Sequence, residues 1–351
     1  MQPESFDFLK RLLDSAGPSG FETAPAKIWR AQAATFVDSV DHDVLGNSYA
    51  WLKSDGPIVV VEGHIDEIGF QISHIDEQGF LWFGQIGGTD DQVIVGQRMR
   101  ILAEGGDVLG VIGRKAAHLL SPDDVNKAVK SNDLWIDIGV ADREAALERV
   151  AVGDPIVIDA GLIHLHGDRY VSRAMDNRTG AFVALETLRL LSANRPWATV
   201  VAVAAAQEEV SYAGAFTSTF KLAPLVSIAL DVTHATDYPG ADKQRNSDVS
   251  LGGGPVLCRG ASMNPVVFKG LKAAGEKLGL NCPVQAAPRQ SFTDADAMIR
   301  SGAGTATGLV SFPNRYMHSP NEVVSLSDLE NSARLIAEFI RTIDPGSDFR
   351  P

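Results

Sequence analysis

Histidine and carboxylate side chains that could hold a catalytic metal ion follow an apolar segment near the start of the chain. In VVVEGHIDEIGF, His64 comes directly after the apolar run and Asp66 lies two residues later. Residues two apart in an extended chain point to the same face, and a metal-bound imidazole commonly donates its second ring N–H to a carboxylate that orients it. The spacing fits a metal-bound His64 beside Asp66. The alternative is a partly buried histidine next to a surface aspartate.

Two adjacent carboxylates, Glu208 and Glu209, end the apolar run VVAVAAA further along the chain. Burying either charge costs free energy unless a partner or a metal ion compensates it. Since adjacent residues of a strand point to opposite sides, we expect different roles, with one side chain as a metal ligand and the other as a base that faces the substrate. A solvated strand end is the alternative.

Three further candidates are weaker when each is taken alone. Asp176 precedes an amphipathic segment in SRAMDNRTG, Asp231 follows the apolar run VSIAL, and His318 lies in the proline-flanked segment RYMHSPNEV. Helix capping or a turn would explain either aspartate, and a structural role would explain the histidine. As a set, however, two histidines and three carboxylates fit a pair of divalent ions bridged by one carboxylate.

A pair of ions of this kind would catalyse hydrolysis. Mixed nitrogen and oxygen ligands suit zinc, cobalt or manganese, and the lack of nearby thiolates disfavours a structural zinc. Two ions a few ångström apart polarise a carbonyl and generate hydroxide near neutral pH. A neighbouring glutamate can then accept and return the proton.

The elements that must position these residues alternate between strands and helices. Apolar runs predict strands over Ile58–Glu62, Ala198–Gln207, Val226–Val232 and Thr307–Ser311. Apolar residues at helical spacing predict helices over Phe6–Ser15, Glu22–Ala34, Gly180–Ser192, Pro265–Leu278 and Ser327–Ile343. Because ligands of open α/β sheets collect at the carboxyl ends of the strands, we expect the candidate residues that follow these runs to meet there.

The segment from about Glu67 to Asp159 has a different pattern, with short strand-like runs separated by glycines. This spacing is typical of a small β-barrel or sandwich. Its clearest strands are predicted over Val95–Leu102, Val108–Ile112 and Leu134–Ile138, with a helix over Pro122–Lys130. We therefore predict a discontinuous α/β domain that is interrupted by a β-rich insertion.

Composition excludes several classes of function. The 351 residues are 45% hydrophobic and 21% charged, as in ordinary globular proteins. The net charge of −13 disfavours a nucleic-acid partner. The most apolar stretch, Ala198–Ala206, is too short to span a bilayer, so we expect no membrane partner. With only Cys258 and Cys282 as cysteines, a disulfide scaffold is disfavoured and a cytoplasmic location is expected.

Eight motifs together resemble the M42 family of metallo-aminopeptidases, within the wider group of co-catalytic two-zinc exopeptidases. They occur in family order along nearly the whole chain and read GHIDEIGF, IGRKAAH, DLWIDIGV, SRAMDNRTG, QEEV, ALDVTHATDYPG, FTDADA and RYMHSPNEV. The resemblance implies that Asp176 bridges two metal sites, the first completed by His64 and Asp231 and the second by Glu209 and His318. It also implies a general base and a carboxylate that orients the first histidine, namely Glu208 and Asp66.

The resemblance further implies an architecture and an assembly. It implies a catalytic α/β domain of residues 1–66 and 164–351, with a central mixed sheet flanked by helices, and an inserted β-rich, barrel-like dimerisation domain of residues 67–163. Family members form homo-oligomers, either dimers or tetrahedral dodecamers. The chain departs from the family pattern at Asn177, at Ser211–Ala213 and at Ser291–Phe292, and these positions bear on substrate preference.

A metal-dependent aminopeptidase that removes N-terminal residues from short peptides is therefore the predicted function. Zinc or cobalt is the expected metal, with manganese as a third candidate, at two ions per chain. The alternative is a two-metal deacylase or amidase acting on a non-peptide or N-acyl substrate. An assembly protein without activity is disfavoured, because all five ligands and Glu208 are present.

Overall fold

A computed structural model of the protein describes residues 1–122 and 127–351. Over these ranges the helices are α1 (Pro3–Asp14), α2 (Thr23–Ala33), α3 (Asp91–Ile94), α4 (Arg143–Leu147), α5 (Met175–Ser192), α6 (Glu208–Ser211), α7 (Ala213–Leu222), α8 (Lys243–Asn246), α9 (Pro265–Leu278), α10 (Ala295–Met298) and α11 (Leu326–Arg341). No helix in these ranges combines the length and hydropathy needed to cross a bilayer.

The strands of the same ranges form a large sheet, a barrel and a small sheet. In chain order they are β1 (Ser39–His42), β2 (Ser48–Leu52), β3 (Ile58–His64), β4 (Gly69–Ile75), β5 (Leu81–Ile86), β6 (Arg98–Ala103), β7 (Gly106–Gly113), β8 (Trp135–Asp137), β9 (Pro155–Ile158), β10 (Ile163–His164), β11 (Arg169–Ser172), β12 (Thr199–Ala205), β13 (Val226–His234), β14 (Val256–Gly260), β15 (Val284–Ala287), β16 (Ala306–Asn314) and β17 (Glu322–Ser325).

The large sheet has the order β1-β2-β12-β3-β13-β16-β14-β15 among the described strands. Its centre, from β12 through β3 and β13 to β16, is parallel, whereas β2 and β14 pair with it antiparallel. The central strands are continuous apolar runs, as expected of parallel strands that are covered on both faces. Their carboxyl ends therefore lie at one edge of the sheet.

Helices cover both faces of this sheet. On one face, α1, α5 and α11 pack in the largest hydrophobic cluster, which includes Leu9, Phe182 and Ile336. On the other face, short helices such as α10 cover the strands through a smaller cluster that includes Met298 and Leu309. The mixed, helix-flanked sheet confirms the predicted fold class.

Strands β4, β5, β8, β7, β6 and β9 form a closed barrel among the described residues. All of its pairings are antiparallel. Its interior is a separate hydrophobic cluster, with Phe70, Ile101 and Ile136 among its members. The predicted barrel-like insertion is thus confirmed, while the domain boundaries at residues 67 and 163 remain a prediction. The helix predicted over Pro122–Lys130 includes residues 123–126, which lie outside the described part of the chain, and its described residues, 122 and 127–130, are not helical.

One local prediction is wrong. The strand predicted over Ala198–Gln207 ends at Ala205, and Gln207 takes a left-handed backbone conformation with φ of 60°. Glu208 and Glu209 consequently begin a short helix instead of ending a strand. The alternation of strand side chains therefore does not explain how these two glutamates differ.

Candidate metal centre

The five predicted metal ligands come together at the carboxyl edge of the parallel strands. His64 is the last residue of β3 and Asp231 lies near the end of β13. Glu209 follows β12, His318 follows β16, and Asp176 lies at the start of α5. Four separate strand ends and one helix start thus supply the side chains of one site.

A glycine allows α5 to approach the sheet closely at this point. A Cβ atom built on Gly63 would lie 2.3 Å from the backbone carbon of Gly180 and would clash with it. Because Gly63 directly precedes His64, the helix that carries Asp176 can pack against the end of β3. Any larger residue at position 63 would push Asp176 away from His64.

His64, Asp176 and Asp231 form the first group of potential ligands. His64 Nε2 lies 3.2 Å from Asp176 Oδ1 and 4.0 Å from Asp231 Oδ1. One ligand atom from each of the three side chains lies within 4.8 Å of the others, and all three residues are buried.

Asp176, Glu209 and His318 form a second group with the same compactness. His318 Nε2 lies 3.4 Å from Asp176 Oδ2 and 3.5 Å from Glu209 Oε2. Asp176 therefore directs one carboxylate oxygen at each of the two imidazoles. This is the arrangement that a ligand shared by two ions would need.

Asp66 connects the first histidine to the glutamate pair. Its Oδ1 lies 3.2 Å from His64 Nδ1. The backbone N–H of Glu208 donates to Asp66 Oδ1 at 3.2 Å, and that of Glu209 donates to Oδ2 at 3.1 Å. The buried Asp66 carboxylate thus fixes the start of α6 and faces the ring of His64 at the same time.

Glu208 and Glu209 are consecutive residues at the start of α6, and their side chains point to different partners. Glu208 Oε2 lies 3.7 Å from His64 Nε2, whereas Glu209 approaches His318. His64, Glu208 and Glu209 also form a compact group, so distance alone would allow Glu208 as a ligand. Burial, opposed by the His64 ring and reinforced by the Asp294 carboxylate, raises the pKa of Glu208 to about 11.

The donor set fits divalent cations. Among the described residues, the ion pairs of Asp176, Glu209 and Asp231 are with imidazoles only, and no lysine or arginine compensates these carboxylates. Glu209 Oε1 is buried without a hydrogen-bond partner in the same part of the chain. Buried carboxylates without cationic partners are costly, and oxygen and imidazole ligands suit zinc, cobalt or manganese.

The carboxylates around His64 and His318 raise the pKa of both imidazoles. Although burial lowers it, the Asp176 and Glu209 carboxylates raise the pKa of His318 to about 11. Burial likewise lowers the pKa of His64, but Glu208 and Asp66 raise it well above its ordinary value. A metal ion that binds these imidazoles has to compete with protons.

Three further buried carboxylates lie near the centre, and two of them, Glu62 and Glu322, were not predicted from the sequence. Glu62 accepts a hydrogen bond from Ser218 Oγ at 2.7 Å, and burial raises its pKa to about 8. Asp294 is buried with no hydrogen-bond partner among the described residues. Glu322 accepts two backbone hydrogen bonds. An acid inside the apolar run of β3, two residues before His64, was the one available signal for Glu62.

A cavity of about 680 Å³ opens beside the ligands. Away from the ligand cluster its lining is mostly uncharged and includes Tyr212, Cys258, Leu309, Ser311 and Met317. The charged exception in the described lining is Arg245, which is exposed.

The positions that depart from the family pattern divide into two groups. Ser211, Ser291 and Phe292 line the cavity. Asn177 is buried instead, where its side chain donates to the carbonyl of Leu230 at 2.7 Å. The first group can contact a substrate, whereas Asn177 supports the start of α5.

Comparisons with known proteins agree with this geometry. The family model described as M42 glutamyl aminopeptidase matches residues 46–335. A lysyl aminopeptidase of Pyrococcus furiosus is 31% identical, and the match covers 99% of both chains. The crystal structure of a TET aminopeptidase from a marine sediment thaumarchaeote is 33% identical, with a TM-score of 0.93 over 97% of each chain. A TET1 peptidase of Pyrococcus horikoshii, which assembles into a tetrahedron or a large octahedral shell, is 28% identical, with a TM-score of 0.86 over 97% of this chain and 100% of that one.

Proposed function

The chain belongs to the M42 family of aminopeptidases, and we propose that it removes the N-terminal residue from short peptides by hydrolysis at a pair of divalent ions. Family membership confirms the resemblance of the eight motifs and makes the protein a hydrolase of peptide bonds. The ions, their ligands and the general base belong to the proposal.

The position of Asp176 carries this proposal. Its two oxygens face His64 Nε2 at 3.2 Å and His318 Nε2 at 3.4 Å, so a single carboxylate belongs to both ligand groups. We assign His64, Asp176 and Asp231 to one ion and Asp176, Glu209 and His318 to the other. Zinc or cobalt is the proposed metal, with manganese as a third candidate. When bound, the two ions would polarise the scissile carbonyl and lower the pKa of the attacking water.

Glu208 is the proposed general base. It lines the cavity beside His64 but is not needed to complete either ligand group. The positive charge of the proposed ions would favour the ionised form of Glu208 and oppose the increase in pKa that burial causes. In the reaction Glu208 accepts a proton from the attacking water as the C–O bond forms. It then delivers the proton to the leaving nitrogen as the C–N bond breaks.

Asp66 has a positioning role in this scheme. By facing His64 Nδ1 at 3.2 Å, it fixes which ring nitrogen is free to bind metal. By accepting the N–H groups of Glu208 and Glu209, it also holds the base and a ligand in register. A change at Asp66 would therefore disturb both halves of the site.

The exopeptidase character rests on charge. The cavity wall next to the ligands carries several carboxylates, among them Glu208 and Glu209, and these attract a free α-ammonium group. An acetylated terminus would lose that attraction and leave polar groups unpaired. The two-metal deacylase or amidase remains the alternative, since the same ligands would serve an N-acyl substrate.

Digestion of matched peptides distinguishes these functions. One unstructured peptide is prepared with a free, an acetylated and a C-terminally amidated end, and its products are followed by mass spectrometry. An aminopeptidase shortens the free and amidated peptides stepwise from the amino end and leaves the acetylated one intact. Removal of the acetyl group would support the deacylase, and internal or carboxyl-end cleavage would reject both. A chelator should stop either reaction.

The barrel is the proposed assembly element. We assign residues 67–163 to a domain through which the chain forms a dimer or a tetrahedral dodecamer. The TET1 relative forms closed shells, and the barrel here exposes Leu109 and Val111 on its outer surface. Exposed apolar groups on a strand of this kind favour contact with a second copy.

A further inference from the structure

A carboxylate outside the ligand set connects two of the proposed ligands through their backbones. The backbone N–H of Asp176 donates to Glu322 Oε2 at 2.9 Å, and the backbone N–H of His318 donates to Glu322 Oε1 at 2.8 Å. The Glu322 side chain is only 2% exposed. One buried side chain therefore fixes the separation between two ligand-bearing segments that are far apart in the chain.

Glu322 is itself held firmly by backbone pairing. It is the first residue of β17, where it lies opposite Ser172 of β11. The next residue, Val323, exchanges two backbone hydrogen bonds of 3.0 Å with Arg315. The carboxylate thus extends from a strand that is paired on both sides, which makes it a rigid reference point for the segments on either side.

The two segments that Glu322 holds have unfavourable backbone conformations. His318 has φ of 59°, and Ala174, two residues before Asp176, has φ of 57°. Residues with a Cβ atom adopt this left-handed region at a cost in free energy and remain there only where surrounding contacts impose it. The hydrogen bonds to Glu322 are contacts of this kind, because they bind the His318 N–H and the Asp176 N–H directly.

Glu322 has no other partner that would explain its burial. No lysine or arginine lies within ion-pair distance of it among the described residues, and it does not line the large cavity. The two ligand-bearing segments supply its side-chain hydrogen bonds. Its placement is therefore explained by the ligands it holds.

We propose that Glu322 is a positioning residue that sets the separation of Asp176 and His318 and thereby the affinity for the ion bound by Asp176, Glu209 and His318. The inference rests on the proposed metal centre and adds to it. Glu322 contacts neither the substrate nor the ions. It acts by keeping one shared ligand and one terminal ligand at the distance that a single ion requires.

The test is a titration of chelator-treated protein with Co²⁺, in which binding is measured by calorimetry and by visible absorption. Glu322→Gln keeps the size of the side chain but turns an NH₂ group toward one of the two N–H donors. We expect one of two Co²⁺ ions to bind roughly 10–100-fold more weakly, as is typical when a group that orients a ligand is removed. At saturating Co²⁺, kcat should return close to the wild-type value.

The chain offers a matched control in Asp328. This buried carboxylate also accepts two backbone N–H groups, from Gly252 at 2.7 Å and Gly254 at 2.8 Å, but holds none of the proposed ligands. Asp328→Asn should lower the melting temperature and leave both Co²⁺ affinities unchanged.

The outcomes separate this inference from the proposed centre. If wild-type protein fails to bind two ions, the proposed function is wrong. If wild-type binds two and Glu322→Gln binds both with the same affinities, only the role of Glu322 is wrong. An equal loss of affinity in Asp328→Asn would also overturn that role. Should Glu322→Gln not fold, Glu322→Asp, which is too short to reach both N–H groups, is titrated under the same criterion.

Discussion

Glu208 approaches His64 at the edge of the cavity, with Oε2 3.7 Å from Nε2. The proposed base therefore lies next to a proposed ligand but belongs to neither of the two ligand groups that share Asp176. We predict that Glu208→Gln lowers kcat by about 10²–10⁴-fold, the usual effect of losing a positioned base, while two ions per chain remain bound. Turnover of an aminoacyl-p-nitroanilide and metal analysis of the same sample measure both. Glu209→Gln is the companion variant and should lose metal. Exchanged phenotypes would show that base and ligand are assigned the wrong way round.

Metal binding should release protons and strengthen as the pH rises. The carboxylates around them raise the pKa of both His64 and His318, the latter to about 11, although burial acts in the opposite direction. Near pH 7 both imidazoles are therefore protonated and must lose a proton before they bind an ion. Calorimetry in buffers of different ionisation enthalpy should show net release of protons on binding, from the imidazoles and from the Asp231 and Glu209 carboxyls, whose pKa values burial raises. The same affinity at about pH 6 and about pH 8 would contradict this.

The same two pKa values predict how the stability of the metal-free protein varies with pH. A folded-state pKa that is raised above the unfolded value of about 6.5 contributes stability fully below that value. The contribution is lost as the pH rises toward about 11 for His318. Metal-free protein should therefore become less stable between neutral and alkaline pH, and bound ions should remove this trend. Thermal melts with and without Co²⁺ measure it.

Arg178 should be the most costly arginine to replace. It is completely buried, and its Nη2 donates to Glu67 Oε1 at 2.7 Å while its Nε donates to the carbonyl of Ile65 at 3.1 Å. Arg178→Met leaves Glu67 paired with Arg173 but removes the donor to several buried backbone carbonyls, and each unsatisfied buried acceptor typically costs about 1–3 kcal/mol. Urea unfolding of metal-free protein measures the change. Arg195→Ala breaks an exposed pair with Asp38 and should cost about 0–1 kcal/mol. Similar losses of unfolding free energy in Arg178→Met and Arg195→Ala would contradict the prediction that the buried arginine contributes more to stability than the exposed one.

The cavity should favour uncharged N-terminal residues. Away from the ligand cluster its described wall is neutral apart from the exposed Arg245, so the side chain of a glutamate or lysine substrate would find no buried counter-charge. We expect kcat/KM for leucyl and methionyl p-nitroanilides to exceed that for glutamyl and lysyl ones by roughly 10–100-fold, since an unpaired buried polar group costs about 1–3 kcal/mol. Gln285→Lys places a charge in this wall and should raise glutamyl turnover selectively. A wild-type preference for either charged substrate would contradict the prediction.

Sequence reasoning reached four of the five proposed ligands because each follows a strand that an apolar run identifies, whereas Asp176 precedes a helix. His64, Asp231 and His318 needed only the rule that parallel strands end at one edge. Glu208 and Glu209 were expected to differ through strand alternation, yet they begin a helix after Gln207, whose left-handed conformation no local pattern indicated. The two glutamates differ in their neighbours in the folded protein, since Glu208 approaches His64 and Glu209 approaches His318.

Two residues that sequence reasoning missed, Glu322 and Arg178, act through backbone groups. Glu322 lies inside a motif that drew attention to His318, but its value depends on accepting two N–H groups from distant segments. Arg178 similarly donates hydrogen bonds to the backbone carbonyls of Leu12 and Gly17. Because almost every residue has the same backbone N–H and C=O groups, a single sequence does not show which of them a side chain will bind.

The order in which the ligands occur along the chain has a consequence for biosynthesis. His64 emerges early, whereas His318 emerges only after the barrel, the central strands and most of the catalytic sheet. An incomplete chain can gather His64, Asp176 and Asp231 but cannot complete the group that contains His318. Because the proposed centre needs both groups, we expect a chain that is still being translated to be inactive until His318 has emerged.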